Sequence, residues 1–343
     1  DVFFGTLMAG GGLFLFDPGW PHVLLRTLLS EHSPDILVAP EDVLSNQECA
    51  LETTLGLSGA EMGTALDCSR VSIALRSQLS PDMSFLVGFT SGSSGPPKGF
   101  VRSHVTWTES FKHSAIEFEL TQADCVLAPG PLSHGLSLYA VIEALCTGAT
   151  AVIQSQFDTS NVLSAIYTRQ ASVLVVVPTM LDAIVERAIE QSFSSVTRLV
   201  TAGAKLSPSL RHRAGRIFPN AEIIEYYGAS ELSFISVAKG SEDCPPSSVG
   251  RPFSGVEIEV RDERRQTVDV GDVGTIWVKS DMLCSGYVGR TDGSGMRIDG
   301  AWATVGDFGH EDAEGYLYLD GREGSAITSA GYTVYPSAIE SVL

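Results

Sequence analysis

From Leu13 to about Tyr227 the chain alternates short, β-prone apolar runs with stretches whose apolar residues recur at helical spacing. Repetition of this kind folds into right-handed βαβ units, because a crossover helix packs back onto a twisted parallel sheet in that hand. LFLFDP, DILVAP, SFLVGFTSG, CVLAPG, ATAVIQS, ASVLVVVP, TRLVTAGA and AEIIEYYG read as strands. PHVLLRTLLSEH, HVTWTESFKHSAIEFEL, TSNVLSAIYTRQ, TMLDAIVERAIEQ and SPSLRHRAGRIFP read as the helices between them, several opening near Ser, Thr or Pro. The expected class is α/β, with two doubly wound, mostly parallel sheets packed together. After Glu231 the pattern turns to polar and apolar alternation around Gly- and Asp-rich turns, which predicts a small antiparallel β-barrel subdomain. The expected boundaries are an α/β subdomain over 1–125, a second over 126–235, the barrel over 236–320, and a hinge with the start of a further domain over 321–343.

Composition narrows the possible partners. With 343 residues and 44% hydrophobic content the chain can bury a large core. Its apolar runs are too short to span a bilayer, so no transmembrane segment is expected. The leading segment DVFFGTLMAGGGLFLFDPGW has no basic start and no clean cleavage site, and reads as a buried helix and strand rather than a secretory signal. Six cysteines without CxxC spacing suggest reduced thiols and a cytoplasmic setting. A net charge of -19 argues against a nucleic-acid partner. It also opposes anionic ligands in general, so a polyphosphate would need local N–H donors, a lysine and a metal ion.

Such a local device follows the strand SFLVGF: Thr90, Ser91, Gly92, Ser93, Ser94 and Gly95, then two prolines, Lys98 and Gly99. The glycines allow close backbone approach, hydroxyls and successive N–H groups can face phosphate oxygens, and Lys98 supplies the countercharge. Lys98 is followed by Gly rather than Ser or Thr, and the glycine spacing also differs from a Walker A loop.

TSGSSGPPKG resembles the phosphate loop of the adenylate-forming (AMP-binding) superfamily, which includes acyl-CoA synthetases, peptide-synthetase adenylation domains and beetle luciferases. Four further segments are similar to that family's motifs in the same order: LMAGGGLFLFDPGWP, EYYGASE, WATVGD with GYLYLDGR, and GYTVYPSAIE. The resemblance implies that Asp307 binds the ribose hydroxyls with Arg322 assisting, and that Tyr227 stacks on adenine. It places Gly203 and Ala204 on adenine's other face and along the acyl channel. It also implies that Tyr226, Gly228, Ala229 and Ser230 border the nucleotide and that Glu231 holds Mg²⁺, a hard ion suited to a carboxylate. His134, in PLSHGL, corresponds to a gate for the acyl and thiol channel, though by itself a histidine there reads as a helix-start residue; His104 occupies another family position, with helix capping the equal alternative.

The activity implied is ATP-dependent activation of a small carboxylic acid to an acyl-adenylate, with transfer to a thiol of coenzyme A or of phosphopantetheine on an acyl carrier protein. A nucleotide- or adenylate-binding protein without full catalysis is the alternative. Relative to the family, an N-terminal piece and the domain bearing a catalytic lysine are expected to lie outside this sequence, and Ser325 stands where the hinge usually carries Asp or Lys. Phe157-Asp158-Thr159-Ser160 imitates an α-ammonium anchor, but it follows a strand and opens a helix, which makes Asp158 a helix-start residue. PLSHGLSL contains no carboxylate, so a plain acyl or aryl acid is expected rather than an α-amino acid.

Overall fold

The computed structural model describes residues 2–39, 54–56, 80–90, 97–154, 156–288, 295–323, 327–329 and 332–334. It divides into two compact units, residues 1–105 with 285–289, and residues 106–284 with 290–343.

The first unit opens with α1 (Val2–Met8), β1 (Leu13–Phe14) and α2 (His22–His32). Leu25, Leu28 and Leu29 are the buried stripe of α2, at the spacing that puts residues on one helical face. The helix ends at Ser33, whose φ of 41° is left-handed and whose N–H returns to the Leu29 carbonyl. β2 (Leu37–Ala39) pairs in parallel with β3 (Thr54–Gly56). β4 (Ser84–Thr90) lies between β1, its parallel partner, and β5 (Lys98–Ser103), its antiparallel partner. Phe85, Leu86 and Val87 of β4 are buried.

The helix α3 (His104–Phe118) leads the chain into the second unit. There β6 (Cys125–Ala128), α4 (Gly135–Thr147), β7 (Thr150–Ile153), α5 (Thr159–Arg169), β8 (Val173–Val176), α6 (Pro178–Arg187), β9 (Arg198–Ala202), α7 (Pro208–Ile217) and β10 (Glu222–Ala229) follow in strict alternation. With β11 (Ser233–Lys239) and β12 (Arg251–Pro252) they make a seven-stranded sheet ordered β12-β11-β10-β9-β8-β6-β7. All pairings from β7 across to β10 are parallel, and β11 and β12 join antiparallel. Parallel strands covered by helices must be apolar on both faces, which explains VLVV in β8, buried throughout. Leu127, Leu174 and Leu199 of the strands pack with Val162, Ile166, Leu181 and Ile184 of the helices, all fully buried. Each such side chain contributes about 1.5–3 kcal/mol by leaving water.

The helix starts follow local chemistry. Asp158 accepts the Asn161 N–H at 2.8 Å and caps α5, which is the helix-start part read for it. Ser207 caps α7 from Leu210 N at 3.2 Å, and Pro178 and Pro208 fill first-turn positions that need no N–H partner.

Beyond β12, strands β13 (Glu257–Arg261), β14 (Gly274–Lys279), β15 (Arg297–Asp299), β16 (Trp302–Thr304), β17 (Asp307–Glu311) and β18 (Leu317–Arg322) form one antiparallel sheet. The expected antiparallel character is present. The path β15-β16-β14-β17-β18, with β13 also on β14, leaves edges at β15 and β18, so among the described residues the strands form an open sheet rather than a closed barrel. Arg261, 8% exposed at its side chain, ties this sheet together. It lies over the rings of Trp277 and Trp302, at 5.0 and 4.9 Å from their centroids, and pairs with Glu259 and Asp299. Last, β19 (Ile327–Ser329) pairs antiparallel with β20 (Tyr332–Val334).

Candidate functional site

In a doubly wound sheet, ligands bind outside the carboxyl ends of the parallel strands, where the connecting loops diverge. β9 and β10 are parallel neighbours with Ala202 beside Tyr226, so the loop that begins at Gly203 emerges next to Tyr226 and Tyr227. Gly203 has φ 93°, a left-handed conformation that favours glycine, and both Gly203 and Ala204 are exposed. Glu225 fixes this loop. Its Oε1 accepts Lys205 Nζ at 2.6 Å and pairs with Arg211 Nη2 at 3.2 Å, while Oε2 accepts the Leu206 N–H at 2.9 Å. Lys205 Nζ also donates to the Ser248 carbonyl at 2.6 Å.

Tyr227 donates its hydroxyl to Asp307 Oδ2 at 2.5 Å, and Arg322 Nε lies 3.1 Å from Asp307 Oδ1. Asp307 and Arg322 face each other across β17 and β18, so a strand register aims the pair at a tyrosine eighty positions earlier in the sequence. Burial, and then the Asp307 carboxylate, hold the Tyr227 hydroxyl well above the usual phenol value, which keeps it a donor. A β-bulge separates Tyr227 from Gly228, and a Cβ on Gly228 would lie 2.3 Å from the Ser233 carbonyl oxygen. Only glycine allows the chain that approach. Ala229 closes β10, and Ser230 and the buried Glu231 form the turn into β11, with the Glu231 carbonyl accepting the Cys284 N–H at 2.8 Å.

In the first unit, Thr90 and Lys98 are directly paired across β4 and β5, so the two ends of the predicted phosphate loop are pinned as one hairpin. Lys98 Nζ lies 5.9 Å from the Tyr287 ring centroid. Ser91, Gly92, Ser93, Ser94 and Gly95 lie outside the described residues. His104 stacks on Phe85 with centroids 4.9 Å apart, and burial lowers its pKa. His134, in the second unit, is exposed at the N-cap of α4 in an extended conformation and makes no side-chain cap bond. The structure thus gathers Tyr226, Tyr227, Gly228, Gly203, Ala204, Asp307 and Arg322 within the second unit.

A cavity of about 20 Å³ lies in the same unit, walled by α4, the end of α3, β6 and the strands β8 to β11. Leu136, Tyr139, Ala140 and Glu143 line it from α4, at the spacing of a single helical face. Phe118, Leu120, Val126, Val173, Val175, Val200 and Phe234 make up the rest of the wall together with Tyr226. Glu143 is 6% exposed, accepts a hydrogen bond from Ser114 Oγ, and has its pKa pushed up to about 7 by burial. Tyr139 donates to or accepts from Ser110 at 2.9 Å and Ser114 at 3.1 Å. Sequence reasoning passed over Glu143 and Glu225. The signal for Glu143 was a lone acid within the otherwise apolar GLSLYAVIEALCT, whereas nothing local distinguishes Glu225.

Among known proteins, residues 2–288 match the AMP-binding enzyme family. The chain is 33% identical over 344 residues to the uncharacterized acyl-CoA ligase YhfT of Bacillus subtilis, covering all of this chain and 69% of that protein. It is 37% identical over 258 residues to a putative long chain fatty acid-CoA ligase, VraA, of Staphylococcus epidermidis, covering 75% of this chain and 54% of that protein. It therefore spans about two thirds of the first relative's length and about half of the second's. The crystal structure of ATP-bound MatB from Rhodopseudomonas palustris has the same fold, with a TM-score of 0.87 at 22% identity over 99% of this chain and 69% of that one. No helix among the described residues is long and apolar enough to cross a membrane.

Proposed function

Because this chain belongs to the AMP-binding enzyme family, we propose that the protein containing it is an acid–thiol ligase that activates a small carboxylic acid with ATP and passes the acyl group to coenzyme A. The observation that carries this reading is the Tyr227–Asp307–Arg322 constellation at the carboxyl end of β10, beside the latched Gly203–Ala204 loop. An aspartate already held by two donors presents its oxygens in one orientation, which suits the paired hydroxyls of a ribose. Tyr227 offers the adenine a ring face, and Gly203 and Ala204 offer an unobstructed backbone.

In the first step a carboxylate oxygen of the acid attacks the α-phosphorus, the bond to the bridging oxygen of the β-phosphate breaks, and pyrophosphate departs. This chain's part is positioning and charge: Lys98 and the backbone donors from Thr90 to Gly95 neutralise the phosphates, with little covalent work asked of the protein. In the second step the thiol sulfur attacks the acyl carbon, AMP leaves, and the thiol proton passes to solvent; His134, exposed at the start of α4, is the gate for that approach.

Glu231 would hold Mg²⁺. Among the described residues no group of three or more His, Cys, Asp or Glu could enclose an ion, and a single carboxylate is what magnesium uses when substrate phosphates supply its other oxygens. When bound, the ion withdraws charge from the phosphate oxygens. The substrate is an acyl or aryl acid, since the α-amino-acid imitation at Asp158 is occupied in capping α5.

ATP–pyrophosphate exchange on the complete protein, run against fatty, short-chain, aromatic and α-amino acids, tests this. Acid-dependent exchange led by non-amino acids is the expected outcome. Exchange led by α-amino acids would overturn the substrate class, and no exchange with any acid would overturn the ligase reading.

A further inference from the structure

Resting on the ligase reading, we infer that Glu143 forms the floor of the acyl pocket and selects acids bearing a small, neutral hydrogen-bond donor at the end remote from the reacting carboxyl group. A helix that connects parallel strands runs antiparallel to them, so the start of α4 lies at the sheet edge where the strands end and the later turns lie progressively deeper. Leu136 therefore lines the mouth and Glu143 the floor, about 10 Å further along the helix at 1.5 Å per residue.

The strands give the same depth. Val173 of β8 stands level with Arg198, the first residue of β9, whereas Gly203 follows that strand's last residue. Val173 is thus about 16 Å below the nucleotide loop at roughly 3.3 Å per residue, and it lines the same cavity as Glu143. Tyr226, which lines the cavity, immediately precedes Tyr227 in β10.

The chemistry of the floor is specific. Phe118, Leu120, Val173, Val175 and Phe234 accept only apolar substance, so a polar group entering there is left with Glu143, the one carboxyl of the lining, and the hydroxyls of Tyr139 and Tyr226. One oxygen of Glu143 accepts Ser114, and among the described residues its other oxygen has no hydrogen-bond partner. The cavity as a whole has only about 20 Å³ of free space, and such close walls favour a hydroxyl or an N–H over a branched or bulky terminus. Burial holds this carboxyl partly protonated near neutrality, which favours a neutral partner over a cation in an apolar surround.

The test uses matched acids in the exchange assay on the complete protein: an ω-hydroxy fatty acid against its parent, and a para-hydroxyaryl acid against the unsubstituted one. The expected kcat/KM ratio favours the hydroxyl-bearing partner of at least one pair by about tenfold or more. Glu143→Gln retains that preference and Glu143→Leu abolishes it by improving the parent relative to the hydroxy acid. General damage would lower both acids together and leave the ratio unmoved. A wild-type ratio near one for both pairs, or a Glu143→Leu ratio equal to wild type, overturns the inference. An ω-ammonium acid preferred over the hydroxy acids overturns it too, in favour of charge pairing. If no acid supports exchange, the ligase reading fails separately, and calorimetry of the hydroxyaryl acid with wild type and Glu143→Leu decides the inference: equal affinities reject it, and weaker binding to the variant supports it.

Discussion

Replacing Glu225 by Ala removes the acceptor of three donors at once, and the structure sets the size of the effect. The buried Leu206 amide loses its partner, and an orphaned buried donor costs about 1–3 kcal/mol. Lys205 and Arg211 lose their counter-ion, but their side chains are 33% and 34% exposed and can rehydrate. Their share therefore falls below the 3–5 kcal/mol typical of a broken buried pair, to about 1 kcal/mol. The sum is a destabilisation of about 3 kcal/mol. Glu225→Gln keeps an acceptor for the amide and loses only the charge, so about half that loss is expected. Urea denaturation measures both, and hydrogen exchange at the Leu206 amide reports the loop directly, with faster exchange in the Ala variant than in Gln. Because the same loop carries Gly203 and Ala204, AMP affinity should weaken in the same order. An Ala variant within about 1 kcal/mol of wild type, with Leu206 exchange unchanged, would show that the loop holds itself by other means and that Glu225 is not its latch.

Asp307→Ala removes the acceptor of Tyr227 and Arg322 together with the proposed ribose contacts, and calorimetry should show nucleotide binding weakened by about 2–5 kcal/mol; an unchanged Kd refutes that role. For Glu143, burial raises the folded pKa from 4.5 to about 7, so between these values the folded chain keeps a proton that the unfolded chain releases. Stability then falls as pH rises through that window, by about 3 kcal/mol, and is highest below pH 4.5 as far as this group is concerned. Glu143→Gln lacks the effect, so the difference between wild-type and variant unfolding free energies should change across pH 4.5–7, and a constant difference refutes the burial argument. The carboxyl faces Tyr139, Tyr226 and Cys146, each of which is shifted upward, away from that range.

The sequence by itself determined the order of elements and the chemistry of individual turns. Alternating strand and helix patterns produced the seven-stranded sheet because their two periodicities are local properties, set by which side of a pleat or helix each residue occupies. Asp158 was legible as a cap for the same reason, since its partner Asn161 is three residues away. The motif carrying Tyr227 and the one carrying Asp307 and Arg322 were each legible as segments similar to a family's. Their meeting was not, because Tyr227 reaches Asp307 only through the register of β17 on β18 in a different sheet. Tertiary structure alone decided that, among the described residues, the antiparallel strands end in open edges, since closure depends on which strands find each other rather than on any strand's own pattern. It alone turned Glu225 from one residue of a strand into the latch of a loop twenty positions earlier. It also gave Glu143 its character: in the sequence an ordinary carboxylate, in the fold an acid with little water around it, whose protonation and choice of partner follow from the low polarity of the residues that bury it.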